Sequence, residues 1–196
     1  MKKLLLTSVA ALVLASPALA SNSTSVVTQS NVGNNAAVDQ SGSATGSDSD
    51  VTQSGANNSA TVTQTDDGAG TTPINVSSVL QTGDDNSATV DQDSESPFNY
   101  PPFTQNTSSI DQSGHSNSAS VTQRDDGQSS TIAQTSDNNS ATVTQGLAAS
   151  GDSTFENSSV VTQGGDGNHV AMVSQTGNTN SSDVLQTGDT EFADVS

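Results

Sequence analysis

One alternating pattern recurs fourteen times along this chain, in two forms that follow each other in strict alternation. One form reads Ser-x-Val/Ile-x-Gln and is called the Ser arm below. The other reads Ala-x-Val-x-Gln and is called the Ala arm; its last copy, Ala193-x-Val195, is followed by Ser196 instead of reaching a Gln. Regular internal repetition indicates an array of similar units, so the unit is a pair of arms and the chain holds seven pairs.

The marked residues of each arm lie two positions apart, and this period with β-branched residues indicates a β-strand rather than a helix. In a strand these residues share one face. The Val and Ile residues of that face form the predicted core: Val27, Val38, Val51, Val62, Val79, Val90, Ile110, Val121, Ile132, Val143, Val161, Val173, Val184 and Val195.

The same face carries regularly spaced amides, which suit ladders because each amide can donate to one neighbour and accept from the other. The predicted glutamine ladder residues are Gln29, Gln40, Gln53, Gln64, Gln81, Gln92, Gln112, Gln123, Gln134, Gln145, Gln163, Gln175 and Gln186. The predicted asparagine ladder residues are Asn34, Asn58, Asn86, Asn117 and Asn139.

The connection from a Ser arm to its Ala arm, called the arc below, has a nearly constant length. From Gln to Gln it spans 11 residues in five pairs and 12 in the pair Gln163–Gln175. Most arcs have a glycine two residues after the first Gln, and we expect it to supply the backbone freedom of a tight bend. These glycines are Gly55, Gly83, Gly114, Gly165 and Gly188. The connections onward vary in length, so insertions are expected at the other edge of the stack.

If the two arms of a pair face each other through side chains, Val27 lies opposite Ala36, and a large residue meets a small one at each level. Backbone hydrogen bonds then run between successive pairs, about 4.7–4.8 Å apart. The predicted fold is all-β: a two-strand-per-coil β-solenoid, or β-arch stack, of seven coils with an amyloid-like cross-β arrangement. The coils are predicted at about residues 23–40, 47–64, 75–92, 106–123, 128–145, 157–175 and 180–196.

Residues 1–20 are typical of a secretory signal peptide. Lys2 and Lys3 precede an apolar stretch that is too short to span a bilayer, and Ala18-Leu19-Ala20 forms a small-residue cleavage site. We therefore expect residues 21–196 to be secreted without membrane insertion.

The expected mature chain is strongly acidic. It keeps Arg124 as the only strong base against 21 acidic residues, one positive and 21 negative groups, for a net charge of −20. Such a chain offers no basic patch to nucleic acid. With 29% hydrophobic and 3% aromatic residues, composition alone favours disorder, and only the ordered alternation of arms favours a folded repeat.

No group of residues indicates catalysis. His115 and His169 lie in arcs without a nucleophile or carboxylate in a catalytic arrangement, and the sequence has no phosphate-binding loop or zinc spacing. We predict no enzyme activity, no cofactor and no metal site. Acidic turns such as Asp84-Asp85 and Asp125-Asp126 are interpreted as solvated turns, with weak binding of cations such as Ca²⁺ as the alternative.

An insertion at 97–103 holds three of the five aromatic residues of the chain, Phe98, Tyr100 and Phe103. It is interpreted as a loop folded over the edge of the coils. The alternative is a lateral contact between fibres or with a surface, because exposed aromatic clusters mark interaction sites.

The string Ser-x5-Gln-x-Gly-x2-Asn-x-Ala-x3-Gln runs from Ser47 to Gln64. It resembles the repeat of curlin, the subunit of curli amyloid fibres, and the resemblance covers nearly all of residues 23–195. The resemblance implies a structural subunit that is built, copy upon copy, into an extracellular fibre for cell adhesion and biofilm matrix. It also implies a nucleator subunit and an outer-membrane secretion pore as partners, at the surface of a Gram-negative bacterium.

Two alternatives stay open. Thr-x-Thr pairs such as Thr61/Thr63 are typical of ice-binding β-solenoids, although Asp39, Asp91 and Met172 interrupt the same face. The chain could also be the minor, nucleating or adhesin subunit of a fibre rather than its main component.

Overall fold

The structure, a computed structural model, describes residues 11–14, 23–41, 46–66, 75–94, 105–146 and 156–196. These residues form fifteen β-strands and no helix. Strand β1 is Ala11–Leu14. The Ser arms are the even strands: β2 (Thr24–Gln29), β4 (Asp48–Gln53), β6 (Val76–Gln81), β8 (Thr107–Gln112), β10 (Ser129–Gln134), β12 (Ser158–Gln163) and β14 (Ser181–Gln186). The Ala arms are the remaining odd strands: β3 (Asn35–Asp39), β5 (Ser59–Asp66), β7 (Ser87–Ser94), β9 (Ser118–Arg124), β11 (Ser140–Gln145), β13 (Val170–Gln175) and β15 (Phe192–Val195).

The strands form two parallel sheets, one for each kind of arm. The Ala sheet has the order β1-β3-β5-β7-β9-β11-β13-β15, and the Ser sheet has the order β14-β12-β10-β8-β6-β4-β2. Each Ser arm therefore pairs with the Ser arms before and after it instead of with its own Ala arm. A hairpin would pair the two arms with each other, so the predicted β-arch solenoid is confirmed. Each even strand and the odd strand after it make one coil, from coil 1 (β2 and β3) to coil 7 (β14 and β15).

The register places like residues above like. Between β8 and β10, for example, Ser108 pairs with Ser130, Ile110 with Ile132 and Gln112 with Gln134. The inward residues of both sheets close a core of Val, Ile and Ala. Because side chains alternate between the two faces of a strand, a register shift of one residue would turn all inward residues to solvent. Burial of one face therefore fixes the register.

The ends of the stack differ from its middle. Val27 and Val195, predicted as core residues, are only half-buried, whereas Val51 to Val173 of the same set are buried. Both lie on the last strands of their sheets, β2 and β15, each of which has one uncovered side, although Val184 on the last strand β14 is buried.

Strand β1 pairs with β3, with Ala11 opposite Asn35. It lies within the segment that the sequence predicts to be a signal peptide. Cleavage after Ala20 would remove β1, and both strands of coil 1 would then be edge strands.

Among the five predicted arc glycines, Gly165 has the left-handed backbone expected of a bend, whereas Gly55, Gly83 and Gly114 have a different role. At Gly55, Gly83 and Gly114 the backbone is not left-handed; the left-handed residue comes two positions later and is not a glycine. These left-handed residues are Asn57, Asp85 and Ser116, and Asn138 has the same conformation two positions after Ser136. A Cβ atom on Gly55 would overlap with the carbonyl of Gly83, and one on Gly83 with the carbonyl of Gly114. These glycines are therefore required by the close contact between successive arcs rather than by the bend.

Candidate functional site: the amide ladders and the ends of the stack

Two glutamine ladders run the length of the stack, one inside each sheet. In the Ser sheet, Nε2 of each glutamine from Gln29 to Gln163 donates to Oε1 of the glutamine in the next coil at 2.6–2.8 Å, ending at Gln186. In the Ala sheet the same bonds join Gln40 to Gln175 through every coil between them at 2.8–2.9 Å. The structure thus places all thirteen predicted glutamines in these two ladders.

In every ladder glutamine from Gln40 to Gln186, Nε2 also donates to a backbone carbonyl of the opposite sheet. Gln112 donates to the carbonyl of Ser87 in the preceding coil at 3.0 Å. Gln123 donates to the carbonyl of Thr107 in its own coil at 2.9 Å. A buried amide without partners is costly, and here each interior glutamine makes bonds along the stack and across it. The ladders therefore tie coil to coil and sheet to sheet.

The asparagines are stacked, but their bonds differ from the side-chain ladder that we expected. Oδ1 of Asn58 accepts the backbone N–H of Asn86 at 3.0 Å, and Nδ2 of Asn58 donates to the carbonyl of Gly83 at 2.7 Å. The shorter side chain keeps the amide against the main chain of the next arc. The five predicted asparagines, Asn34, Asn58, Asn86, Asn117 and Asn139, are all buried and each accepts an N–H of the next coil through Oδ1.

His169 takes the asparagine position in coil 6, and the sequence interpretation missed this role. Its backbone N–H donates to Oδ1 of Asn139 at 3.0 Å, and its side chain is fully buried. Nδ1 accepts the backbone N–H of Glu191 in coil 7 at 3.1 Å, while Nε2 lies 2.6 Å from the carbonyl of Gly164. Alignment of the repeats could have revealed this role, because His169 precedes Gln175 by the same six residues that separate Asn139 from Gln145.

Acidic residues are spaced apart on the outer faces of the sheets. In the strand pairings of the described residues, no acid stands opposite another acid. Asp93 stands opposite Arg124, whose guanidinium also reaches Asp91, at 2.8 Å and 2.6 Å respectively. This spacing lowers like-charge repulsion between neighbouring strands.

The acids come closest in the last two arcs. A side-chain hydrogen bond to Asp166 and the charge of that carboxylate raise the pKa of Asp189, and Glu191 adds to the effect, whereas His169 opposes it. Asp189 is exposed. Ionisation of Asp189 at neutral pH therefore adds repulsion between coils 6 and 7.

The acidic turns bind neighbouring arcs rather than facing water alone. Oδ1 of Asp84 accepts the backbone N–H of Ala56 at 2.7 Å, and Oδ1 of Asp85 accepts Nδ2 of Asn57 at 3.2 Å. Within the described ranges, no group of three His, Asp or Glu side chains is arranged to hold a metal ion. The aromatic insertion with Phe98, Tyr100 and Phe103 lies outside the described residues.

The threonine face does not form a regular array. Thr61 pairs with Thr89, but Thr142 pairs with Met172, and Thr63 lies between Asp39 and Asp91. In the part of the chain that the structure describes, no helix has the length and apolar character needed to cross a membrane.

Residues 114–146 match the family model described as Curlin associated repeat. They contain β9, β10 and β11, which are the Ala arm of coil 4 and all of coil 5. Residues 114–146 carry a curlin repeat. The resemblance to that repeat is thus confirmed for this segment, and the other described coils share its strand pairing and glutamine bonding. Curlin repeats belong to structural rather than enzymatic proteins. No curated protein and no solved structure matches the chain.

Proposed function

We propose that this curlin-repeat chain is a structural subunit of a curli-like extracellular amyloid fibre, built by end-to-end addition of identical subunits. The observation that carries the proposal is the complementarity of the two ends of the stack. Among the described strands, neither β2 nor β14 has a partner on its outer side, and the two present the same inward pattern, Ser-x-Val-x-Gln. Exposed strand edges of this kind favour pairing with further chains.

The ladders have a direction, and this direction makes the two ends fit. Every bond between two ladder glutamines runs from Nε2 of one coil to Oε1 of the following coil. Coil 7 therefore ends the Ser-sheet ladder on Nε2 of Gln186, and coil 1 begins it on Oε1 of Gln29. If β2 of a second copy follows β14, Gln186 meets Gln29 and Val184 meets Val27, as in the interior. Head-to-tail addition extends the ladder, whereas head-to-head addition places like groups together.

Charge is compatible with the same junction. Continuing the register places Asp183 of β14 opposite Val26 of the next copy, and Asp194 of β15 opposite Ala37. No acid of these four strands then faces an acid of the next subunit. The spacing of acids found inside the stack is kept across the proposed junction.

The wider biological role follows from the family. Curlin repeats occur in extracellular fibre subunits, which supports secretion and a place at the surface of a Gram-negative bacterium, in adhesion and in the biofilm matrix. A nucleator subunit and an outer-membrane secretion pore are the partners that such a fibre requires. Cleavage of residues 1–20 would expose the β3 edge and complete the growth surface of coil 1.

Two backbone N–H groups allow a sharp test. In coils 1 to 6, the N–H at the position of Ser181 donates to the carbonyl of the following coil, as Ser158 does to Asn180 at 2.8 Å. The position of Phe192 does the same in the Ala sheet, as Val170 does to Glu191 at 2.9 Å. In coil 7 both groups point towards the proposed next subunit. Proline lacks this N–H and is tolerated at the first residue of an edge strand.

We expect the double variant Ser181→Pro/Phe192→Pro to extend preformed wild-type seeds at least about tenfold more slowly, because each junction loses two backbone hydrogen bonds. The control Ser181→Ala/Phe192→Ala removes the same side chains but keeps both N–H groups, and should extend seeds close to the wild-type rate. Thioflavin fluorescence of seeded reactions measures both. Equal extension by the two double variants would contradict end-to-end growth through coil 7.

A further inference from the structure

The imidazole of His169 replaces an asparagine amide at the contact between coils 6 and 7. Like Oδ1 of the asparagines, its Nδ1 accepts an N–H of the next coil, that of Glu191, at 3.1 Å. Like Nδ2 of Asn34, Asn139 and Asn180, its Nε2 bonds a carbonyl of its own arc, that of Gly164, at 2.6 Å. The side chain has no exposed surface.

These two partners determine which ring nitrogen carries the hydrogen. The carbonyl of Gly164 can only accept, so Nε2 must carry a hydrogen. The backbone N–H of Glu191 can only donate, so Nδ1 must be bare. The contact therefore requires the neutral ring in one tautomer. A second proton on Nδ1 would face the N–H of Glu191, donor against donor, and that N–H would lose its acceptor.

The acids around the ring provide an alternative partner for the charged form. Oε2 of Glu191 lies 3.8 Å from Nδ1. Asp166 is in the same arc as the ring, Asp189 joins Glu191 in the arc of coil 7, and Asp137 lies in the arc of coil 5. An imidazolium at this place can donate Nδ1–H to the carboxylate of Glu191 once the main chain of coil 7 moves away. Two arrangements of one contact thus differ by one proton.

We propose that His169 is a proton-operated latch that joins coil 7 to coil 6 when neutral and releases it when charged. The latched arrangement binds one proton fewer than the released one, so a fall in pH favours release. Imidazole is the side chain that ordinarily changes charge between pH 5 and 8. The preceding coils use asparagine at this position, and asparagine does not titrate, so the release is confined to coil 7.

The latch would regulate the growth surface on coil 7, and that consequence rests on the proposed function. The latch itself does not, because it concerns a contact within one chain. Amide hydrogen exchange of the unassembled chain, followed by mass spectrometry after correction for intrinsic exchange, tests it without any fibre. The reporter is a peptide covering 187–195, and the reference is a peptide covering 140–145 of coil 5.

On going from pH 7.5 to pH 5.5, protection of the reporter should fall about tenfold, the effect of losing one hydrogen bond, while the reference keeps its protection. In His169→Asn the amide takes over both bonds and the reporter should keep its protection at both pH values. His115→Asn removes the other histidine, which is exposed, and should respond as the wild type does. Asn139→His should create a second pH-dependent contact between coils 5 and 6.

Three outcomes would overturn the latch. One is an equal fall in His169→Asn, which would assign the response to the acids. Another is a gain of protection at pH 5.5, which would mean that the charged ring holds Glu191 more tightly. The third is a ring ¹⁵N spectrum at pH 7.5 that places the hydrogen on Nδ1 rather than on Nε2.

Discussion

At the scale of the residue, an interior glutamine of this stack serves as a crosslink in two directions. Gln112 donates to Gln134 and to the carbonyl of Ser87, and it accepts from Gln81. The three glutamines have no exposed surface, so their amide groups cannot hydrogen-bond to water when a partner is lost.

Replacement of Gln112 by Ala should lower the free energy of unfolding by about 3 kcal/mol, because Nε2 of Gln81 and Oε1 of Gln134 each lose their ladder partner in the interior. Gln29→Ala removes the same kind of side chain from a half-buried position on an edge strand, and should lower the free energy of unfolding by less than about 1 kcal/mol. The urea midpoint of the β-sheet signal in circular dichroism compares them. Similar midpoints would show that the ladder does not stabilise the interior.

Asp189 offers a test at the other end of the stack. Its raised pKa means that the folded arc favours the protonated carboxyl, so this stabilisation is present in acid and is lost as the pH rises through the raised pKa. Asp189→Asn keeps a hydrogen-bond donor towards Asp166 without the charge. We expect slower amide exchange of residues 187–191 in the variant at pH 7, and no difference from the wild type below about pH 3. A constant difference at both pH values would exclude the charge as its cause.

At the scale of the element, the arc is the part in which sequence and structure diverge most. The Ser and Ala arms, their sheets and their register follow from periodicity, because a period of two selects a face and like-over-like stacking selects the partner. The sequence does not reveal which atoms an inward amide bonds. That choice depends on side-chain length. Glutamine, which is one methylene group longer, bonds the side chain of the next glutamine, whereas Asn58 and its equivalents bond the backbone.

The same reason explains two further differences. The sequence suggested that glycine permits a left-handed backbone in the bend. Gly83 is needed instead because Gly114 of the next coil lies too close for a Cβ atom. Such contact between coils cannot be predicted from the sequence of one coil. The sequence placed His169 in an arc but did not align it with the asparagines, because histidine and asparagine differ in type. The two side chains are equivalent only in geometry, because each places one hydrogen-bond donor and one acceptor at the same positions in the arc.

The arc contact predicts different results for two glycines in equivalent positions. Gly83→Ala directs a methyl group at the main-chain carbonyl of Gly114 and should cost about 3 kcal/mol of stability, because the backbone must move. The Cβ of Gly188→Ala would lie 3.1 Å from Oε1 of Glu191, a side chain that can turn away, so the expected change is below about 0.5 kcal/mol. Urea unfolding of both variants checks this, and equal losses would contradict the close arc contact.

At the scale of the whole molecule, assembly is opposed by charge. The expected mature net charge of −20 repels an incoming copy, although neighbouring strands avoid opposed acids. Screening should therefore shorten the lag before fibres form. At pH 7.5, raising the salt from about 0.05 M to about 0.5 M shortens the Debye length more than threefold. Thioflavin kinetics with an unchanged lag over this range would contradict a charge barrier.

The central claim is that like residues stack within one chain. Ile110 and Ile132 are directly paired on β8 and β10, so their backbones lie about 4.8 Å apart inside each molecule. In the variant Ile74→Val they are the only isoleucines that remain. Fibres grown from this variant with ¹³C-labelled isoleucine, diluted tenfold with unlabelled chain, can be measured by solid-state NMR dipolar recoupling. We expect the coupling between Ile110 and Ile132 to survive dilution. Loss of the coupling would mean that identical residues stack between molecules instead.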